Sequence, residues 1–537
     1  MHKRLVILYA CVTFFAMILV LRIYSLAFSD DLIQTATMQS SYVVDICTTR
    51  GAVYDCNSQR LTDRESELVA AVSPSAEAAE ILAKNISGGQ RTAVLEQLRE
   101  GKPFLCNLGK QRIYGEGITV FSVSSRYGSH PTASHIIGHL NYEGEGVSGI
   151  EQAFQNELST VGEQVKVRYG VDIQQKPLEA VAPQVIGTSE PVKAGVVLTL
   201  DKDIQQLTEV IAGQMLEKGA VVVMDVESGQ LRASASVPAY DPNNLAAGLD
   251  DENKPFLNRA FCAYNVGSTF KLAVAAAALE QGISTDFTVD CVGGTEIAGR
   301  MVYCHHRAGH RQTDMEKALE QSCNPYFIAL GREIGAESIL TMAQNMGFGQ
   351  ESEFADSLLS AAGNLPSLRQ ASSPLALANL SFGQGELLAT PVQIASMISS
   401  IANGGKKVQP QLILGWTEDG TVPEPSPHGE QRIFSERTAE ILQDFMVEVV
   451  EEGSGINAKP DNGMAGGKTA SAQTGIYRDD GSEIVHAWFG GFYPAEEPKY
   501  AIVVFAEGME SGGSYGAPVF KRICEQISVL EAERQRN

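Results

Sequence analysis

The chain has 537 residues, 44% of them hydrophobic, which supplies core material for two or more domains and excludes a disordered chain. Its formal net charge is −23 and no basic stretch offsets the acidity, which excludes nucleic acid as a partner.

At the N-terminus, Leu5 to Leu21 carry no charge, Arg22 interrupts, and Ile23 to Phe28 continue apolar. That is close to the ~20 residues that span a bilayer, and a cation near the end of a span can snorkel to the headgroups. His2, Lys3 and Arg4 precede the run while Asp30 and Asp31 follow it, so the charge bias keeps the N-terminus cytoplasmic and sends the remainder outside. A cleavable signal peptide is the rival reading, with Ser25-Leu26-Ala27 a passable cleavage site; a buried soluble helix is the other. The apolar core exceeds a signal-peptide core of roughly 7 to 15 residues, and terminal cations argue against burial. Residues 1–28 are therefore expected to be a cytoplasmic tip and an uncleaved anchor.

Residues 29–190 read as short apolar segments and glycine turns, without a polar cluster of catalytic type or an internal repeat. Ser73 to Lys84 is predicted as a surface helix, and Pro131 and Pro183 fall at loop positions. Lys110, Arg112 and Arg126 are expected on an ordinary solvated surface.

From residue 191 to 537 the pattern is clearer. Ala220 to Asp225 and Leu231 to Val237 are apolar runs joined by a Glu227-Ser228-Gly229 turn, a predicted β-hairpin. Ser268-Thr269-Phe270-Lys271 then puts a hydroxyl and an amine one helical turn apart if a helix begins at Ser268. Gly267 breaks the chain just before it, and Leu272 to Leu279 are apolar all round, as in a buried helix. A serine hydroxyl becomes a good nucleophile when a neighbour takes its proton, and Lys271 can do so only when neutral. Desolvation lowers a lysine pKa, and the ammonium of Lys468 would push in the same direction.

Cys304, His305, His306 and His310 lie close together with Cys291 nearby, but the spacing is not that of a C-x-x-C finger, so no metal is expected. Cys291 and Cys304, with 12 residues between them that include Gly293, Gly294 and Gly299, are instead expected to be able to close a disulfide, two reduced thiols being the alternative. The scattered Cys11, Cys47, Cys56, Cys106, Cys262 and Cys524 read as small buried or reduced residues. Ser322-Cys323-Asn324 supplies a hydroxyl to relay a proton and an amide to hold a peptide group, and Lys468-Thr469 offers a cation and a hydroxyl for a carboxylate. Strands are predicted around Gly467 to Gln473, Val485 to Phe492 and Tyr500 to Ala506, followed by a helix with Val519, Phe520, Ile523, Ile527 and Leu530 on one face. Helices between strands from both ends predict an α+β domain, with the Ser268 helix against an antiparallel sheet.

S-x-x-K, S-x-N and K-T-x in this order resemble the signature of penicillin-recognising serine enzymes. Arg50-Gly51-Ala52-Val53-Tyr54-Asp55, Ala133-Ser134-His135-Ile136-Ile137-Gly138, Gly149-Ile150-Glu151, Asp241-Pro242-Asn243, Gly383-Gln384-Gly385 and Ala487-Trp488-Phe489 extend the likeness, and the chain resembles a class B penicillin-binding protein over nearly its whole length. Two positions depart from the family: Val266 stands where Pro is usual before the motif glycine, and Ala470 where K-T-G has its glycine. A methyl group at 470 would narrow the cleft or tilt the strand.

The resemblance implies a penicillin-recognising transpeptidase domain, an antiparallel sheet flanked by helices, at 191–537, carried on an elongated pedestal (dimerisation-like) domain at 29–190 with one transmembrane helix. It implies Ser268, Lys271, Ser322, Asn324 and Lys468 as catalytic and Thr469, Ala470 and Ser471 as substrate-binding, with backbone N–H groups of Ser268 and Ser471 as the oxyanion hole. The activity expected is peptidoglycan D,D-transpeptidation in the cell membrane with the catalytic domain outside, needing no cofactor. The expected partners are stem peptides, β-lactams and a separate membrane glycosyltransferase polymerase. A D,D-carboxypeptidase or β-lactamase, a β-lactam sensor and a catalytically impaired scaffold remain as alternatives.

Overall fold

The structure is a computed structural model that describes residues 2–27, 40–179, 181–424 and 429–536. Phe28, Asp30 and Asp31, on which the end of the expected anchor and its acidic flank rest, lie outside the described residues. Two compact units interleave along the chain. One comprises Met1–Gly51, Asp63–Gly128 and Ser159–Val192, the other Ala52–Thr62, Ser129–Leu158 and Lys193–Asn537. Ala52–Thr62 joins the second because the Ala52–Tyr54 strand pairs in parallel with Gly195–Leu198.

In the first unit the helix His2–Ala27 contains a span, His2–Leu26, with mean hydropathy 2.5 and every side chain exposed. It is long and apolar enough to cross a membrane. Two three-stranded sheets follow: Ser41–Thr48 with Gln164–Gly170 and Gln184–Ile186, and Glu65–Val72 between Phe104–Gly109 and Ile118–Ser125. The helix predicted from Ser73 runs over Ala76–Asn85, because Ser75 caps it by accepting from the Ala78 N–H at 3.0 Å. Arg126 is not a solvated cation. Its guanidinium donates to Asp63 at 2.6 Å and to the Gly51 carbonyl at 2.7 Å, and only 12% of its side chain is exposed.

The second unit is built on a five-stranded antiparallel sheet in the order Leu231–Val237, Gly219–Asp225, Tyr500–Ala506, Glu483–Tyr493, Gly466–Tyr477. The predicted hairpin and three late strands are all present in it. Alternation along the strands sends Val221, Val223, Ile502 and Val504 to one face, where they pack with Ile204, Ile211, Phe520, Ile523 and Ile527 of the helices Lys202–Met215 and Ala517–Arg536. Burying each such side chain contributes about 1.5–3 kcal/mol. The opposite face receives the Pro391–Ala402 helix, whose Ile394 and Ile398 lie against Gly490, and the turn that carries Ser268. The Ser268 turn thus meets the strand that carries Lys468 and Thr469.

Candidate active site

The Ser268 segment is clamped before its helix begins. Gly267 N–H donates to the Gly383 carbonyl at 2.8 Å, and the Trp488 indole N–H donates to the Asn265 carbonyl at 2.8 Å. Val266 is buried at φ −89°, a helical backbone reached without a proline ring. Gly267–Phe270 is a single 3-10 turn and the α-helix proper is Lys271–Glu280, so the helix expected to start at Ser268 opens with a tighter turn. Leu272 to Ala278 are buried, as the all-apolar run predicts.

Lys271 is fully buried and its Nζ donates to three acceptors: Ser322 O at 2.7 Å, Ser322 Oγ at 3.1 Å and Asn324 Oδ1 at 2.8 Å. Burial brings its pKa down to about 7, against smaller opposing effects of Cys323 and Cys304. Ser322 holds φ +53°, the left-handed region, which turns its carbonyl onto the lysine. Asn324 opens the helix Asn324–Asn345, with Cys323 as its N-cap, and donates from Nδ2 to Tyr303 O at 3.2 Å.

Lys468 is also fully buried, and its Nζ donates to Thr469 O at 3.2 Å. Desolvation first, then repulsion by Lys271, pushes its pKa well below the ordinary lysine value. The repulsion expected to lower Lys271 therefore falls on Lys468, and Lys468 is a desolvated amine rather than an open cation. Thr469 shares a 3.0 Å hydrogen bond with the Ser454 hydroxyl, a residue the sequence reading missed because it belongs to no motif. Ala470 pairs with Trp488 in a register that runs unshifted from Gly466 to Gln473, so its methyl group leaves the strand pairing intact.

Ser268, Ser322, Asn324, Thr469, Ala470 and Ser471 line one cleft of about 870 Å³. Lys271 and Lys468 are buried and are not among its lining residues. The eight expected residues thus collect as a cleft lining of hydroxyl, amide and methyl groups with two desolvated amines behind it, the Lys271 amine within hydrogen-bond distance of the Ser322 hydroxyl and the Asn324 amide. Cys323, given no role by the sequence, is buried and meets Cys291, Cys304 and His310.

Residues 219–525 match the family described as Penicillin binding protein transpeptidase domain. The chain is 29% identical to Stage V sporulation protein D of Bacillus subtilis over 73% of this chain and 61% of that protein, and 30% identical to the peptidoglycan D,D-transpeptidase PbpA of Mycolicibacterium smegmatis over 56% of this chain and 65% of that one. It spans somewhat less than two thirds of the length of these relatives. Among solved structures, apo penicillin-binding protein 3 from Mycobacterium tuberculosis shares the fold, with a TM-score of 0.66 at 22% identity over 91% of this chain and 97% of that one. Penicillin-binding protein 2 in complex with MreC, from Helicobacter pylori, does so with a TM-score of 0.65 at 23% identity over 91% and 99%. With the family pattern covering more than half of its length and six of the eight expected residues lining one cleft, the chain belongs to the penicillin-binding protein transpeptidase domain family.

Proposed function

We propose that this chain is a membrane-anchored, serine-type D,D-transpeptidase that crosslinks peptidoglycan stem peptides and is acylated by β-lactams. The observation that carries the reading is Lys271: a buried amine with a pKa of about 7, hydrogen-bonded to Ser322 and Asn324 below a cleft lined by Ser268. In this reading Ser268 Oγ attacks the carbonyl carbon of the penultimate D-Ala and its proton passes to neutral Lys271. The tetrahedral oxyanion is held by the backbone N–H groups of Ser268 and Ser471. As the C–N bond breaks, Ser322 relays a proton to the departing D-Ala amine. An acceptor amine then attacks the Ser268 ester and restores the hydroxyl. Asn324 holds the donor peptide group, and the Thr469 hydroxyl receives the terminal carboxylate beside Ala470 and Ser471, with Lys468 as the nearby amine.

The apolar helix His2–Ala27 serves as a single-pass anchor with a cytoplasmic N-terminus, residues 29–190 as the pedestal, apart from Ala52–Thr62 and Ser129–Leu158, which belong to the larger unit, and 191–537 as the extracytoplasmic catalytic domain. Strand polymerisation falls to a separate membrane glycosyltransferase. No cofactor enters the acyl transfer itself.

The test is intact mass of the full chain after incubation with a β-lactam, followed by product analysis on a D-Ala-D-Ala donor with and without an amine acceptor. One adduct mapping to Ser268, absent from Ser268→Ala, and an amine-dependent crosslinked product are expected. An adduct on another serine sinks the nucleophile assignment, and release of D-Ala by water alone makes the enzyme a carboxypeptidase.

A further inference from the structure

Four thiol and imidazole donors between Cys291 and Cys323 converge at the Ser322 to Asn324 segment. The Sγ atoms of Cys291, Cys304 and Cys323 and a ring nitrogen of His310 all lie within 4.8 Å of one another. Cys304 Sγ stands 3.6 Å from His310 Nδ1. Ligands placed tetrahedrally about a zinc ion at about 2.0–2.3 Å are themselves separated by about 3.5–3.8 Å, so the donors sit close to coordination spacing. All three cysteines are buried thiols and His310 is half-buried.

Backbone contacts bring these donors together. Cys291 pairs with Arg311, the neighbour of His310, and Cys304 N–H donates to the Gly293 carbonyl at 3.1 Å. Gly309 has φ +79°, and a Cβ there would fall 2.0 Å from Cys291 O, so only glycine lets the loop close around the cluster. A disulfide between Cys291 and Cys304 would use two sulfurs and leave unexplained why a third sulfur and an imidazole meet them. Chance burial of small thiols does not bring a histidine nitrogen to the same point.

We propose that Cys291, Cys304, His310 and Cys323 hold one structural Zn²⁺ ion. Four protein ligands close the coordination shell, and three thiolates with one imidazole select zinc over the oxygen-seeking Mg²⁺ and Ca²⁺. On binding, three Zn–S bonds and one Zn–N bond form, the thiol protons leave to solvent, and no oxidation state changes. The assignment replaces the metal-free expectation and the Cys291–Cys304 disulfide.

The ion would act as a positioning element for the cleft, a consequence that rests on the serine chemistry proposed above. Cys323 is the centre of Ser322-Cys323-Asn324, whose outer two residues receive the Lys271 amine. Ser322 is held at a positive φ that surrounding contacts must maintain. Asn324 also donates to Tyr303 O, the residue before Cys304, so the metal loop and the proton relay share a backbone. Met301, Tyr303, Cys304 and His305 of the same loop line the cleft.

The test is metal analysis of the full chain purified in detergent under reducing conditions, with Zn²⁺ and Co²⁺ as probes. One equivalent of zinc per chain is expected, and Co²⁺ added after chelation should give thiolate-to-cobalt charge transfer and the intense visible bands of a tetrahedral site. The double variant Cys291→Ser, Cys304→Ser should lose both, while His305→Ala, His306→Ala should keep the full equivalent. Acylation of Ser268 by a β-lactam should slow at least tenfold on chelation and recover with Zn²⁺. Less than a tenth of an equivalent of zinc in the wild-type chain, or an octahedral cobalt spectrum without charge transfer, overturns the site even if acylation proceeds. Full metal binding with unchanged acylation after chelation overturns the positioning role, and absent acylation with one bound zinc overturns the serine reading alone.

Discussion

Lys271 shows how one residue sets the conditions for chemistry. A lysine at its ordinary pKa is protonated at neutral pH and cannot accept a proton; burial brings this one to about 7, where half of it is neutral. In the proposed mechanism the active form is the deprotonated amine, so the rate of Ser268 acylation should rise with pH through about 7 and level off above it. Lys271→Arg keeps the volume and the donors but cannot lose its proton, and should lower the acylation rate by about 10²–10⁴-fold without restoring it at higher pH. Rates measured from pH 5.5 to 9 with a chromogenic β-lactam check both. A flat profile in the wild-type chain means that another group takes the proton. The spacing of Ser268 and Lys271 was legible in the sequence because it is local. The acceptors of Lys271 lie more than 50 positions away and were nameable only through the motif order, and the desolvation of Lys468 was not legible at all.

The strand Gly466–Tyr477 beside the cleft poses the question of Ala470 at the scale of an element. The strand is packed closely on the segment Gly512–Gly516: a Cβ on Gly512 would fall 2.2 Å from Trp488 O and 2.5 Å from Ala470 O. Those neighbours are backbone atoms in a paired register and cannot give way. Gly512→Ala should destabilise the chain by about 1–3 kcal/mol and slow acylation. Ala470→Gly should leave the fold intact and raise the acylation rate a few-fold, since it removes one methyl group from the cleft lining. Because the clash at Gly512 is with the backbone of residues 488 and 470, the double variant should remain as unstable as Gly512→Ala. Thermal unfolding together with β-lactam acylation rates separates these outcomes; a rescued double variant would mean that the methyl group itself is what Gly512 accommodates. At this scale the sheet was readable, since its strands are apolar runs with turns between them. The 3-10 start at Gly267 and the convergence of Cys291, Cys304, His310 and Cys323 were not, because both depend on loops brought together by tertiary pairing.

On the scale of the whole molecule, the larger unit is closed by an ionic clasp between its first long helix and its last. Asp201 caps the Lys202–Met215 helix by accepting from the Asp203 and Ile204 N–H groups, and Arg534 near the C-terminus grips the same carboxylate through both terminal nitrogens at 2.7 Å while reaching Asp203 at 2.8 Å. Burial alone would push the Asp201 carboxyl up, but the Arg534 hydrogen bonds and charge, with the cap, hold it below its ordinary value. A carboxylate whose pKa is depressed on folding adds stability that is fully present above about pH 4, the unfolded range, and is lost as the pH falls through the folded value. Arg534→Gln should therefore cost about 1–2 kcal/mol at pH 7, a figure reduced because the arginine is partly exposed. The loss should shrink as both chains are taken below pH 4, where protonation removes the same interaction from the wild-type chain. Thermal unfolding of the full chain at neutral and acid pH measures the difference directly. If the gap between the two chains is as wide in acid as at neutrality, Arg534 stabilises the end of the helix by packing its aliphatic stem and the clasp is not electrostatic.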